Sequence, residues 1–132
     1  MREVGAMRHR MRAELDRSDA SAFDLKQGEG GLVDLEFLLQ ALVLAEASRA
    51  PALLAPRGTP ALIAACRDAA ALSREGAERL ASAHALMLER GLDCTLDRRA
   101  RRVPPDPAID AAREAVRATA RECGLDFDAT AP

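Results

Sequence analysis

The sequence predicts an all-α protein, a bundle of five or six helices around a mostly apolar central helix. Alanine, the strongest helix former, accounts for 29 of the 132 residues, whereas residues that favour strands are scarce and Trp and Tyr are absent. The length suits one domain, and the hydrophobic content of 48% excludes a disordered polyelectrolyte. Residues 32–48 are apolar nearly all round, which is typical of a helix at the centre of a bundle.

The N-terminal third predicts one helix and a glycine-rich entrance to the central helix. Apolar residues three and four positions apart, from Val4 to Leu15, predict a helix over residues 2–16. This pattern is already running at Met1 without a cap, which is typical of a segment of a longer chain. A polar loop then leads to a brief extended piece at Phe23, and three glycines precede the central helix.

The middle of the chain predicts two further helices after a broken connection. Prolines and a glycine interrupt the chain after residue 50 and leave room for one short turn over residues 52–55. A helix over residues 60–72 follows. Ser73 caps the next helix, in which Leu80, Ala83 and Met87 share one face, and Gly91 either ends that helix or weakens it.

The last helix has clear signals at both ends. Asp106 is the predicted cap, Pro107 suits the first turn, and Gly124 stops the helix. The helix carries an apolar stripe that runs from Ile109 to Cys123. We therefore expect residues 1–123 to form a single helical domain and residues 124–132 to form a loose C-terminal tail.

Composition and patterning exclude several classes of protein. No stretch is apolar enough to span a membrane, and the N-terminus has no signal-peptide core. A net charge of −2 argues against a general nucleic-acid binder. Cys66, Cys94 and Cys123 are far apart and show no C-x-x-C spacing, so no zinc site is predicted, and the thiols fit a reducing cytoplasm.

The candidate site lies at the entrance to the central helix. Lys26 is the only lysine among 19 basic residues, and Gly30 and Gly31 follow it just before the helix begins. A helix N-terminus offers unpaired N–H groups and a partial positive charge, and glycines let a phosphate approach the backbone. The spacing is therefore compatible with a phosphate site, although it is not a P-loop.

A structural interpretation competes with the phosphate site. In it, the two glycines form a tight turn, and Lys26 pairs on the surface with Asp24 or Glu29. Asp34 and Glu36 then offset the partial positive charge of the first helical turn. Because these two acids stand two residues apart, a helix directs them to different sides, and they make a poor metal pair.

Seven residues of this segment match a family signature. They are Lys26, Gly30, Gly31, Asp34, Glu36, Phe37 and Gln40. The pattern resembles the signature that follows the catalytic domain in bacterial glutamine synthetase adenylyltransferases and, in looser form, in PII uridylyltransferases. That family pairs a nucleotidyltransferase domain with a helical domain, and the signature opens the helical domain.

The resemblance implies a specific place in such an enzyme. The aspartate two residues before Glu36 resembles the C-terminal, adenylylating half of these duplicated enzymes, so the chain resembles the helical domain of that half. Lys26, Gly30 and Gly31 would then face the nucleotide, and the other four residues would support the motif. The resemblance also implies ATP and Mg²⁺ in the intact enzyme, transfer of AMP to glutamine synthetase in nitrogen regulation, and a PII-type signalling protein as a second partner.

The catalytic residues of such an enzyme are missing from this sequence. Nucleotidyl transfer needs a Gly-Ser motif followed by D-x-D carboxylates that hold Mg²⁺, and no Gly-Ser pair occurs here. Asp126 and Asp128 have the D-x-D spacing but fall in the predicted tail. We therefore expect the nucleotidyltransferase domain to lie outside this chain, and we expect the chain alone to have no catalytic residue, metal site, bound cofactor or activity.

Two other functions remain open. The first is a regulatory or protein-binding helical module that contacts PII protein or glutamine synthetase and has no chemistry of its own. The second is a free-standing RNA binder, supported only by the basic run Arg98–Arg102, which a solvated loop explains more simply. His84 is expected to be a core or surface residue rather than a catalytic one.

Overall fold

The computed structural model describes residues 2–127 and confirms the all-α class. The helices are α1 (Arg2–Leu15), α2 (Leu32–Glu46), α3 (Thr59–Asp68), α4 (Arg74–Leu96) and α5 (Pro107–Glu122), with a 3₁₀ turn at Pro51–Leu54. Two short strands, β1 (Phe23–Asp24) and β2 (Arg102–Val103), pair antiparallel. Within residues 2–127, no helix is long and apolar enough to cross a membrane.

The helix α2 lies at the centre of the bundle, as its apolar sequence predicts. It contacts all four other helices and the 3₁₀ turn, and Leu35 and Leu38 on it are fully buried. One strip of its surface stays open at Glu36, Gln40 and Leu44. The bundle therefore covers most of this helix but leaves one strip open, and the helix ends two residues before the predicted boundary.

The helices α4 and α5 form the largest helix–helix contact of the fold. Both begin at the predicted caps, because the Ser73 side chain accepts from the Gly76 N–H at 2.9 Å and the Asp106 carboxylate accepts from the Ala108 N–H at 2.7 Å. The predicted stripes on both helices are buried, apart from the partly exposed Cys123 at the end of the second. Gly91 lies inside α4 and does not end it.

The helix α3 is shorter than its sequence suggests. It ends at Asp68 instead of Leu72, because Ala70 adopts the left-handed conformation with φ of 58°. The N–H groups of Ala71 and Leu72 then both donate to the carbonyl of Cys66. This turn brings the chain back to the cap of α4.

The prediction of a loose tail from residue 124 onward is wrong for the first residues of that segment. Leu125 is 1% exposed and Phe127 is 6% exposed, and both belong to the hydrophobic core. Gly124 ends α5 as predicted, with φ of 78°, and this turn directs the chain back onto the bundle. The domain therefore extends at least to Phe127, and the rest of the predicted tail, residues 128–132, lies outside the described residues.

The short sheet joins the segment around Phe23 to the basic run that ends at Arg102. Phe23 pairs with Val103 and Asp24 pairs with Arg102, so part of the basic run is a strand rather than a loop. The N–H of Leu25 also donates to the carbonyl of Arg101 at 2.9 Å. These bonds place the basic run directly beside the segment that contains Lys26.

Candidate functional site

A buried ion pair connects α1 to the first turn of α2. Arg8 and Asp34 are both fully buried, and the Arg8 Nε donates to Asp34 Oδ1. The other guanidinium nitrogens donate to the side-chain oxygen of Gln27 at 3.0 Å and to its carbonyl at 2.7 Å. Asp34 Oδ2 accepts from the Gly30 N–H at 2.7 Å. Together these bonds fix the glycine segment against α1.

The backbone amides at the start of α2 are already engaged by oxygens of the chain. Four N–H groups donate to such oxygens at 2.7–3.0 Å, and they belong to Gly30, Gly31, Leu32 and Val33. These four amides are therefore not free to bind a phosphate. A nucleotide-facing role for Gly30 and Gly31 stays a prediction, but free amides cannot be its basis.

The two glycines instead allow a tight turn against α5. Gly30 has φ of 77°, and a Cβ added to it would lie 2.6 Å from the carbonyl oxygen of Arg113. The Nε of Arg113 donates to the carbonyl of Glu29 at 2.8 Å, and its guanidinium lies 4.0 Å above the ring of Phe23. Glycine is required here because the loop and α5 are in backbone contact.

The other signature residues divide between the interior and the surface. Asp34 is buried and Glu36 is exposed, so they point to different sides as predicted. Phe37 is half-buried against the core, and Gln40 is exposed on the open strip of α2. In the described part of the chain, no three His, Cys, Asp or Glu side chains are grouped so that they could hold a metal ion.

Lys26 lines an open cleft of about 360 Å³ beside the two-stranded sheet. Arg17 and Arg101 line the same cleft, and we call it the cationic cleft. Within residues 2–127, no carboxylate lies at ion-pair distance from any of these three side chains, whereas the neighbouring Arg102 pairs with Asp19. No local signal in the sequence singles out Arg17, and Arg101 falls in a separate predicted loop, because only the strand pairing brings the three cations together.

The floor of the cationic cleft is held by Asp24. This buried carboxylate accepts from the backbone N–H groups of Lys26 and Gln27 at 3.0 Å each and from that of Arg17 at 3.2 Å. Glu29 pairs with Arg117 at 3.0 Å. The predicted surface pair between the Lys26 ammonium and either carboxylate is therefore wrong, since both acids bind other groups.

Comparisons with known proteins show the family of this chain. Residues 3–129 match the family model described as GlnD PII-uridylyltransferase. The chain belongs to this family. It is 54% identical to the bifunctional glutamine synthetase adenylyltransferase/adenylyl-removing enzyme of Stenotrophomonas maltophilia (strain K279a) and 57% identical to that of Xanthomonas campestris pv. campestris (strain B100).

These alignments also define how much of the relatives the chain represents. Each covers 125 residues, which is 95% of this chain and 13% of the relative, and the same holds at 55% identity for Xanthomonas axonopodis pv. citri (strain 306). The resemblance to glutamine synthetase adenylyltransferases and to PII uridylyltransferases is thus confirmed. The chain spans only about an eighth of the length of these curated relatives.

His84 is a buried residue of α4. This position fits the expectation that it is a core or surface residue. Burial lowers the pKa of the imidazole, and the nearby Glu36 carboxylate partly opposes this shift. The neutral imidazole is therefore the form that the folded state favours. Burial also raises the pKa of the Cys66 and Cys123 thiols, which favours their protonated form.

Replacing His84 by glutamine is expected to flatten the pH dependence of stability on the acid side. The unfolded chain takes up the proton at about pH 6.5, more readily than the folded chain, so acid shifts the equilibrium toward unfolding. The contribution of neutral His84 is complete above that pH and is lost as the pH falls below it. Urea unfolding at pH 7 and pH 5 should therefore show a larger loss for the natural chain than for His84→Gln. Equal losses in both proteins would contradict the assignment.

Proposed function

We propose that this chain is the helical domain that follows the adenylylating nucleotidyltransferase domain of a glutamine synthetase adenylyltransferase. In that role it supports ATP-dependent transfer of AMP to glutamine synthetase, and the catalytic carboxylates lie in the other domain. Identities of 54–57% to enzymes of that name support the proposal. The description of the matching family supports a PII-type signalling protein as a second partner.

The cationic cleft is the observation that carries this proposal. Three exposed cations without carboxylate partners in the described residues line one cleft, and their combined positive charge favours an anion as the ligand. A triphosphate carries several negative oxygens, and charge-assisted hydrogen bonds from lysine and arginine to phosphate oxygens are short and strong. Lys26 belongs to the family signature, so the cleft and the signature both favour a nucleoside triphosphate as the ligand.

Each group at the cleft has a separate task in this proposal. The side chains of Lys26, Arg17 and Arg101 bind phosphate oxygens, while Asp24 fixes the backbone that carries the first two of them. Mg²⁺ bound with ATP would neutralise part of the phosphate charge. Since residues 2–127 hold no suitable group of three ligands, we assign no metal ligand to this part of the chain.

Replacing Lys26 by alanine is expected to lower adenylylation at least about tenfold, equivalent to about 1.4 kcal/mol of transition-state stabilisation. The test enzyme is a chimera in which this chain replaces the matching 125 residues of the Stenotrophomonas maltophilia enzyme. AMP incorporation into glutamine synthetase measures activity. Because the side chain is exposed, helical content and melting temperature should not change.

Arg57→Ala is the matched control for this variant, because Arg57 is an exposed cation far from the signature in sequence and forms no ion pair among the described residues. It should leave the rate unchanged. Full activity of Lys26→Ala would remove the residue from the proposed site. An unfolded Lys26→Ala chain would show instead that its role is in the fold.

A regulatory module that binds proteins is the second candidate function. Three exposed leucines on α4 favour it, because isolated apolar side chains are ordinary on a surface but aligned ones are typical of interaction sites. Titrating the chain with ATP, and separately with PII protein or glutamine synthetase, separates the candidates. Binding of nucleotide supports the role at the active site, whereas binding of protein alone supports the module.

A further inference from the structure

The outer face of α4 carries an apolar ridge that the fold itself does not use. Leu88, Leu92 and Leu96 follow one another at intervals of four residues and are 50%, 57% and 72% exposed. We call these three residues the leucine ridge. The buried face of α4, with Leu80 and Met87, already provides its contacts to the core. The ridge therefore contributes little to the packing of this chain.

A groove runs beside the leucine ridge. It has a volume of about 250 Å³ and lies between Leu88 and Leu92 on one side and Leu32 of α2 on the other. Gly91 forms part of its floor and leaves it open, since the nearest atom to a Cβ there would be 4.0 Å away. A ridge of residues spaced by four next to a groove is the surface on which a second helix packs, with axes crossing at about −50°.

The flanks of this surface are acidic. Glu89 and Asp93 follow the ridge leucines on α4, and Glu36 lies near its N-terminal end, where it acts on the charge of His84. All three acids are exposed, and no cation among residues 2–127 lies at ion-pair distance from them. One basic side chain, Arg101, lies at the edge of the groove. The surface thus combines a leucine row with carboxylates that form no ion pair in the described residues, although Glu89 and Asp93 also act electrostatically on Arg90 between them.

We propose that the leucine ridge binds an amphipathic helix of a partner protein whose apolar row is flanked by lysine or arginine. Leucine-sized side chains of that helix enter the groove, and its cations pair with Glu36, Glu89 and Asp93. A second copy of this chain fits less well, because it would bring the same carboxylates to the interface. The groove shares Arg101 with the cationic cleft, but the leucine ridge and its three carboxylates lie outside that cleft, and the proposal does not depend on nucleotide binding.

A pair of synthetic peptides tests this proposal on the complete chain. Each is an amphipathic helix about five turns long with leucines along one face, and the residues beside the leucines are lysine in one peptide and glutamate in the other. Fluorescence anisotropy should show that the lysine peptide binds at least about tenfold more tightly than the glutamate peptide. Equal binding of both peptides, or binding of neither, would overturn the proposal.

Two variants locate the binding surface. Leu92→Gln should weaken binding of the lysine peptide at least about tenfold, whereas Leu54→Gln, at a leucine that is 70% exposed on the 3₁₀ turn, should leave it unchanged. The double variant Glu89→Lys/Asp93→Lys should reverse the preference and bind the glutamate peptide. Circular dichroism verifies that each variant folds.

Two further outcomes count against the proposal. A preference that survives the double charge reversal would show that the acids do not contact the partner. Self-association of the chain that Leu92→Gln abolishes, measured by light scattering, would show that a second copy occupies the ridge instead.

Discussion

Replacing Asp34 by asparagine is expected to destabilise the domain by about 3–5 kcal/mol, because it leaves the Arg8 guanidinium buried without its counter-charge. Both side chains are fully buried, and a second cation, Arg12, lies 3.9 Å from Asp34 Oδ2, so the variant leaves the buried Arg8 without its carboxylate while another positive charge stays close. Asparagine preserves the size of the side chain and isolates the charge. Urea unfolding followed by circular dichroism gives the change in the free energy of unfolding.

The neighbouring signature acid provides the control for this variant. Glu36→Gln removes a charge two residues away on the exposed side of the same helix, and it should alter stability by less than about 0.5 kcal/mol. The double variant Arg8→Met/Asp34→Leu removes both charges and should recover much of the loss. If Asp34→Asn and Glu36→Gln cost the same, the buried pair does not have the role that the structure gives it.

Replacing Gly30 by alanine is expected to destabilise the domain by about 2–5 kcal/mol, because a left-handed backbone and a steric overlap act together. The added Cβ would meet the carbonyl oxygen of Arg113 at 2.6 Å and its Cα at 2.9 Å, and backbone atoms cannot move aside as a side chain can. The loop and α5 would have to separate, and this would also disturb the hydrogen bond that the Gly30 N–H donates to Asp34. Thermal and urea unfolding both report the loss.

Gly124→Ala is a matched control, since Gly124 has nearly the same φ, 78° against 77°, and no atom within 4 Å of an added Cβ. It should cost only the backbone strain, about 1 kcal/mol. The difference between the two variants therefore measures the contact with α5. Equal losses would mean that the overlap at Gly30 relaxes without cost.

Much of the fold could be predicted because its signals are local. Ser73 and Asp106 cap helices through atoms only two or three residues away, and the apolar stripes of α4 and α5 repeat within each helix. The early end of α3 depends on the left-handed conformation of Ala70, which alanine rarely adopts and which its sequence does not signal. The burial of Phe127 depends on the path of the chain after α5, which Gly124 alone does not fix.

The candidate site was predictable only in part, because its contacts join distant segments. Lys26 could be identified from the signature, but its neighbour Arg101 lies 75 residues further along the chain. No local pattern indicates that a two-residue strand will pair across that distance. The engagement of Asp34 with Arg8 was equally hidden, since the acid looked like an ordinary charge in a first helical turn.

The cationic cleft links anion binding to the stability of the fold, because separate segments of the chain form it. Side chains from three segments, 15–17, 24–27 and 100–102, line it, and these segments are close only in the native chain. An anion that binds between them has no comparable site on the unfolded polypeptide, so binding shifts the folding equilibrium by mass action. At a free concentration a hundredfold above its Kd, such a ligand would add about 2.7 kcal/mol to the stability of the native state. If the anion is the nucleotide proposed for this cleft, the nucleotide concentration would set the fraction of the domain that is unfolded.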